Sequence, residues 1–156
     1  MNIIYEKLKF IEKKNFLSKN FFYLPKHGLS DQDIKILQEK VEFKFDPKFV
    51  DFLKEFNGSN LDVIRIFGVS KYDDRIFDLV ENNKDEDLFI FASDPAGFTY
   101  AQDSNFYVFS IDSEGGETIK VAENFEDFIC NYLFGNRSEE FGGEEWKEEL
   151  TQAGII

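Results

Sequence analysis

Nucleophilic catalysis near neutral pH needs a base that titrates there, and this chain has a single histidine, His27. It stands between Lys26 and Gly28 in a segment that reads as a turn, and no Gly-x-Ser-x-Gly sequence presents a serine to it. His27 therefore reads as an exposed loop residue. The one cysteine, Cys130, sits among Phe128, Ile129 and Tyr132 with Asp127 and Asn131 beside it. A reactive thiolate wants positive charge nearby, so Cys130 reads as a small apolar group in a helix. Zinc would need a Cys/His cluster, which the composition does not allow. The run Asp31 to Glu42 has the length and end residues of a calcium loop. Lys35, however, falls on a ligand position and Ile36 on the position where the sharp turn needs glycine. Asp103 to Glu114 fails in the same way, with Val108 at the glycine position. Paired carboxylates could run acid–base or glycosidase chemistry. With 31 acidic residues, some pairs will be close in any fold, so pairing alone carries little information. No P-loop and no Gly-x-Gly-x-x-Gly occurs. The expectation is a protein that is not an enzyme and uses no cofactor or metal.

Charge points toward a class of partner. The 156 residues carry a formal net charge of −13, from 18 basic and 31 acidic side chains. The excess is spread along the chain: residues 137–150 hold six glutamates against Arg137 and Lys147, and the remainder is still acidic. Such a surface repels phosphate backbones and argues against direct nucleic-acid binding. It attracts a basic protein and speeds the encounter, although acidity also serves solubility alone. One cysteine permits no intrachain disulfide and suits a reducing compartment. Charges at Glu6 and Lys7 interrupt the apolar run a signal peptide would need, and no stretch approaches a membrane span. The cytoplasm is the expected location. Twenty phenylalanines predict an aromatic core.

The elements that must position these side chains follow from periodicity and punctuation. A helix is expected over 3–14, with Ile4, Leu8 and Ile11 on one face. Phe21 to Pro25 reads as extended, turning at Gly28. Ser30 followed by Asp33 is a capping-box pair, opening a helix that buries Ile34, Leu37 and Val41. Asp46-Pro47 opens another, with Phe49, Phe52, Leu53 and Phe56 in the i, i+3, i+4, i+7 pattern, closed by Asn57-Gly58. Strands are expected over 61–67, 88–93, 106–111 and 117–121, with Phe98–Ala101 pairing with 88–93 as a hairpin. Asp94-Pro95-Ala96-Gly97 and Ser113-Glu114-Gly115-Gly116 are turns. A helix over about 124–134 is capped by Asn124, buries Phe125, Phe128, Ile129 and Tyr132, and is closed by Gly135. The acidic extension 136–156 suits one short helix. No repeat or linker appears, so residues 1–156 are expected to form one domain.

Several of these segments together resemble the SUKH superfamily, the Smi/Knr-like proteins. Ile34 to Glu39, then Asp46 to Gly58, is similar to its acidic-residue helix followed by a proline-started apolar helix ending in Asn-Gly. Phe89 to Asp94 with Gly97 resembles its central strand and turn. Val108 and Asp112 fit the next strand and turn, and Ala122 to Ile129 its closing helix. The likeness spans about residues 30–134. It departs at Asp46, where the family usually has Leu, at Phe98, where a small or polar residue is common, and at Asn124, where Ser is usual.

The resemblance implies an α+β fold, with helices packed on one side of a mainly antiparallel sheet. It also implies a role. Bacterial members are typically immunity proteins that bind and neutralise polymorphic toxins, many of them nucleases, and yeast members regulate cell-wall assembly. The leading expectation is thus an immunity protein binding a basic toxin domain by non-covalent contact. The alternative is a non-catalytic regulatory or scaffold domain of the same fold. Around the family's central motifs, Asp94, Phe98, Tyr100, Asp103, Asp112 and Glu114 are the candidate partner contacts. Each also has a purely structural reading, as a turn former or a core ring.

Overall fold

Short-range capping chemistry sets the helices. The computed structural model of the chain describes residues 2–18, 20–84 and 88–156. Helix α1 (Ile3–Lys14) starts on Asn2, whose side chain accepts from the Tyr5 N–H, and buries Ile4, Leu8 and Ile11. Helix α2 (Asp31–Val41) carries a complete capping box, the Ser30 and Asp33 side chains each accepting from the other's backbone N–H. Helix α3 (Pro47–Glu55) starts with Pro47 behind Asp46, whose carboxylate accepts from the Lys48 N–H at 2.9 Å. The segment 31–42, with calcium-loop end residues, is therefore a capped helix.

Seven strands form one antiparallel sheet in sequence order: β1 (Phe22–Tyr23), β2 (Ser59–Leu61), β3 (Arg65–Ile66), β4 (Phe89–Ser93), β5 (Phe98–Gln102), β6 (Val108–Asp112) and β7 (Thr118–Ala122). The register of the last four sets Tyr100 opposite Ser110, and Ser110 opposite Ile119. Beyond short β3, the sheet is completed by a side chain. Asn83, in a 3₁₀ turn over Glu81–Asn83, accepts from the Ile90 N–H and donates to the Ile90 carbonyl, both at 2.7 Å. One amide thus makes the pair of bonds that a facing strand residue would make.

The helices lie on one face. Phe49 of α3 packs on Phe89 and Phe91 of β4, and on Phe125 of α4 (Phe125–Asp127). Phe128, which follows α4, packs edge-on against Phe91 and beside Tyr100. The fold is α+β of the expected kind, with an aromatic core.

Four expectations need correction. The run 61–67 is two strands. Asn60 accepts from the Asp62 N–H, Asp62 takes φ 69°, and the chain reverses between Leu61 and Ile64. Gly58 does take φ 69°, but α3 has already ended at Glu55 on an extended Phe56. Asn57 instead clamps Val69, accepting from its N–H at 2.6 Å and donating to its carbonyl at 2.8 Å. The closing helix becomes a π-helix over Phe128–Leu133. Gly135 follows it because a Cβ there would lie 2.0 Å from the Cys130 carbonyl oxygen, and its φ is not left-handed. Finally, the extension carries a 15-residue helix, α5 (Ser138–Gln152), broken at Gly143 with φ 82° and ψ −180°. Trp146, Leu150 and Ile155 from this segment are buried in the same core as α1 and the sheet.

Candidate functional site

Two concave regions compete. The larger, about 980 Å³, lies between the Tyr23–Leu29 segment and residues 70–75. Five of its polar side chains, Tyr23, Asp33, Tyr72, Asp73 and Arg75, are paired among themselves. The Arg75 guanidinium lies 3.6 Å from the centre of the Tyr23 ring and donates to its hydroxyl, which in turn donates to Asp73. Tyr72 donates to Asp33 at 2.8 Å, and that bond, with the Ser30 amide, holds the Asp33 carboxyl below its usual range. His27 lines this cleft as an exposed side chain, and among the described residues no hydrogen bond joins it to a serine or a carboxylate. Cys130 is half-buried. Burial first, and the Glu126 carboxylate second, push its thiol up to about 11, so it is protonated near neutrality. Among the described residues, no group of three or more His, Cys, Asp or Glu side chains could hold a metal ion.

The second region is a groove of about 670 Å³ beside β5, β6 and β7. Its floor is laid by the sheet register: Tyr100, Ser110 and Ile119 stand side by side on three adjacent strands, pointing to one face. Phe98 flanks the floor, and Ile119 is 50% exposed, a large apolar side chain left open to water. The facing wall comes from the end of the π-helix and the start of α5, where Tyr132 and Phe141 meet edge-on at 5.6 Å. Gly143 breaks α5 so that its first turn can form this wall while Trp146, beyond the break, anchors the segment by donating to the Leu133 carbonyl at 2.8 Å. At Gly142 a Cβ would meet the Trp146 side chain at 2.6 Å, which explains the glycine pair in chemical terms.

Asp94 organises one rim. Its Oδ1 accepts from the Ala96 and Phe98 amides and its Oδ2 from the Tyr100 hydroxyl at 2.8 Å. Burial, and then this bond to a carboxylate, push the Tyr100 hydroxyl far above the ordinary tyrosine range. Tyr132 is pushed up to about 12 by burial and by Glu140. Among the described residues, three carboxylates, Asp62, Asp94 and Glu140, line the groove with one cation, Lys120. Lys120 is itself drawn to Glu123 at 3.1 Å and over the Tyr107 ring.

Of the six residues singled out from sequence, the fold brings Asp94, Phe98 and Tyr100 into this groove. Asp112 pairs with Phe98 across β5 and β6 and accepts from the Glu114 N–H at 2.9 Å, so it shapes the adjacent turn, with Glu114 exposed upon it. Asp103 lies at the opposite end of β5, where it accepts from the Asn105 and Tyr107 amides and forms the β5–β6 turn. Sequence reasoning missed Asp62, Ile119 and Phe141. Ile119 carried a weak signal, an isoleucine between Thr118 and Lys120 in a strand that reads as alternating.

The family model described as the SMI1 / KNR4 family (SUKH-1) matches residues 28–131, about two-thirds of the chain. No curated protein matches the sequence.

Proposed function

The chain belongs to the SMI1 / KNR4 family (SUKH-1), and on that premise we propose that it is an immunity protein that binds and neutralises a toxin domain without covalent chemistry. Family membership is consistent with a toxin-immunity or a regulatory role. The observation that favours binding a basic protein is the groove, where exposed Ile119 and partly buried Phe98 form an apolar floor lined, among the described residues, by more carboxylates than cations. Aromatic anchors in a recess with charge at its margin are what a protein interface uses. A chain of charge −13 supplies long-range attraction to a basic toxin, such as a nuclease, and an acidic surface can occupy the place of phosphate. No helix among the described residues is long and apolar enough to cross a membrane. The single cysteine suits a reducing compartment, and on that composition we place the protein's work in the cytoplasm.

The test is co-expression with the toxic domain of any secreted toxin found to be encoded beside it. Restored growth, together with a complex on a size-exclusion column, is the expected outcome. Unrelieved toxicity with no complex would sink the immunity reading. Absence of any toxin gene in the neighbourhood would favour the regulatory reading instead.

A further inference from the structure

The groove has two walls of different origin. The floor, Phe98, Tyr100 and Ile119, lies inside the segment matched by the family model, whereas Tyr132, Glu140 and Phe141 lie beyond its end at residue 131. The second wall is nevertheless built into the fold. Trp146 and Leu150 are buried, and Arg137 fixes the entry to α5 by bonding the Val121 carbonyl, Asp127 and Glu140. Arg137 is outnumbered by the two carboxylates it holds, Asp127 and Glu140, and Glu123 draws off Lys120. An approaching group therefore meets apolar surface in a negative field.

We infer that this groove is the partner site, that its occupant is a protein loop presenting one aromatic or large aliphatic side chain flanked by lysine or arginine, and that the 132–142 wall selects among such loops. The inference rests on the reading of the chain as a protein-binding module. The argument is complementarity. Ile119 and Phe141 both line the recess that the apolar side chain would enter, the flanking cations would meet Asp62 and Asp94 on the sheet side, and on the helix side Asp127 and Glu140 outnumber Arg137. An acidic or phosphorylated segment would meet like charge on both sides.

The probes are two small peptides, acetyl-Lys-Phe-Lys-amide and acetyl-Glu-Phe-Glu-amide, titrated into the full chain and followed by two-dimensional NMR. The expected result is shift changes centred on Phe98, Ile119 and Phe141, with the basic peptide bound about tenfold more tightly than the acidic one. Ile119→Arg, a change at an exposed strand position, should weaken the basic peptide at least about fivefold, and Phe141→Ala should also weaken it. Ile36→Arg on α2 should leave it unchanged. Equal binding of both peptides, shifts centred elsewhere, or an unaffected Ile119→Arg would overturn the inference. The growth assay separates this from the immunity reading. Rescue by Ile119→Arg equal to that by the parent would mean that the toxin is held by another face, leaving immunity intact and the groove inference overturned.

Discussion

The Tyr100 hydroxyl donates to Asp94 Oδ2 at 2.8 Å, joining the middle of β5 to the turn that precedes it. Because Asp94 Oδ1 already holds two amides of that turn, one carboxylate fixes both the rim and the floor of the groove. Tyr100→Phe keeps the ring against Phe128 and removes only this bond. A hydrogen bond to a charged acceptor is worth about 1.5–3 kcal/mol, and partly exposed Asp94 can recover some of that from water, so a loss of about 1–2 kcal/mol is expected. The urea midpoint checks it, and an unchanged midpoint would show the bond to be idle.

Asp46 should prove far more costly to change. It is 3% exposed, and its Oδ2 accepts from Gln102 at 2.9 Å and from the Phe125 N–H at 3.0 Å, so it ties α3, β5 and α4 together. This is the position where the resemblance would place leucine. Asp46→Leu leaves the buried Phe125 N–H without a partner, strips Gln102 Nε2 of one of its two bonds and removes the α3 cap, with an expected cost of about 3 kcal/mol or more. Asp46→Asn, able to keep some of these bonds, should cost less. Equal stability of Asp46→Leu and the parent in thermal unfolding would contradict this assignment.

Gly135 distinguishes two reasons for a glycine. If it closed a left-handed turn, asparagine would be tolerated there better than alanine. Because the obstacle is the Cys130 carbonyl, Gly135→Asn and Gly135→Ala should be equally damaging, by several kcal/mol. Unfolding curves of the two variants decide the matter, and a mild Gly135→Asn would restore the turn explanation.

Cys130 gives a pH signature. Its thiol is raised from an ordinary 9.0 to about 11, so the folded state holds the proton more strongly than the unfolded chain does. That contribution to stability is fully present below pH 9.0 and is lost as pH rises through about 11. At about pH 8 the raised thiol is ionised far less in the folded chain, and although its thiolate is intrinsically more nucleophilic, iodoacetamide should label the folded chain more slowly than the urea-unfolded chain by about tenfold or more. Comparable labelling rates would show that the thiol is neither buried nor shifted.

What was legible in the sequence was local. Ser30 with Asp33, Asp46 with Pro47, and Asn124 before Phe125 announce helix starts because each cap bonds within three residues of itself. The Leu61–Ile64 reversal was legible in part, since Asn60 and Asp62 are turn formers, but their β-branched neighbours disguised them. The π-helix and Gly135 were hidden because their cause is a contact between backbones, which no residue type advertises. The groove was half visible. Asp94, Phe98 and Tyr100 are neighbours along the chain, whereas Phe141 reaches them through long-range anchors, Trp146 on Leu133 and Arg137 on Val121.

The central claim is that the chain acts by holding a basic toxin domain through electrostatic and apolar contact. Titration calorimetry of a purified toxin domain, taken from any toxin gene found beside this one, into this protein at about 50 mM and about 300 mM salt tests it most directly. The predicted result is a saturable complex that forms in both buffers and weakens markedly at the higher salt, with Ile119→Arg weaker still. A flat titration, or a complex indifferent both to salt and to Ile119→Arg, would contradict it.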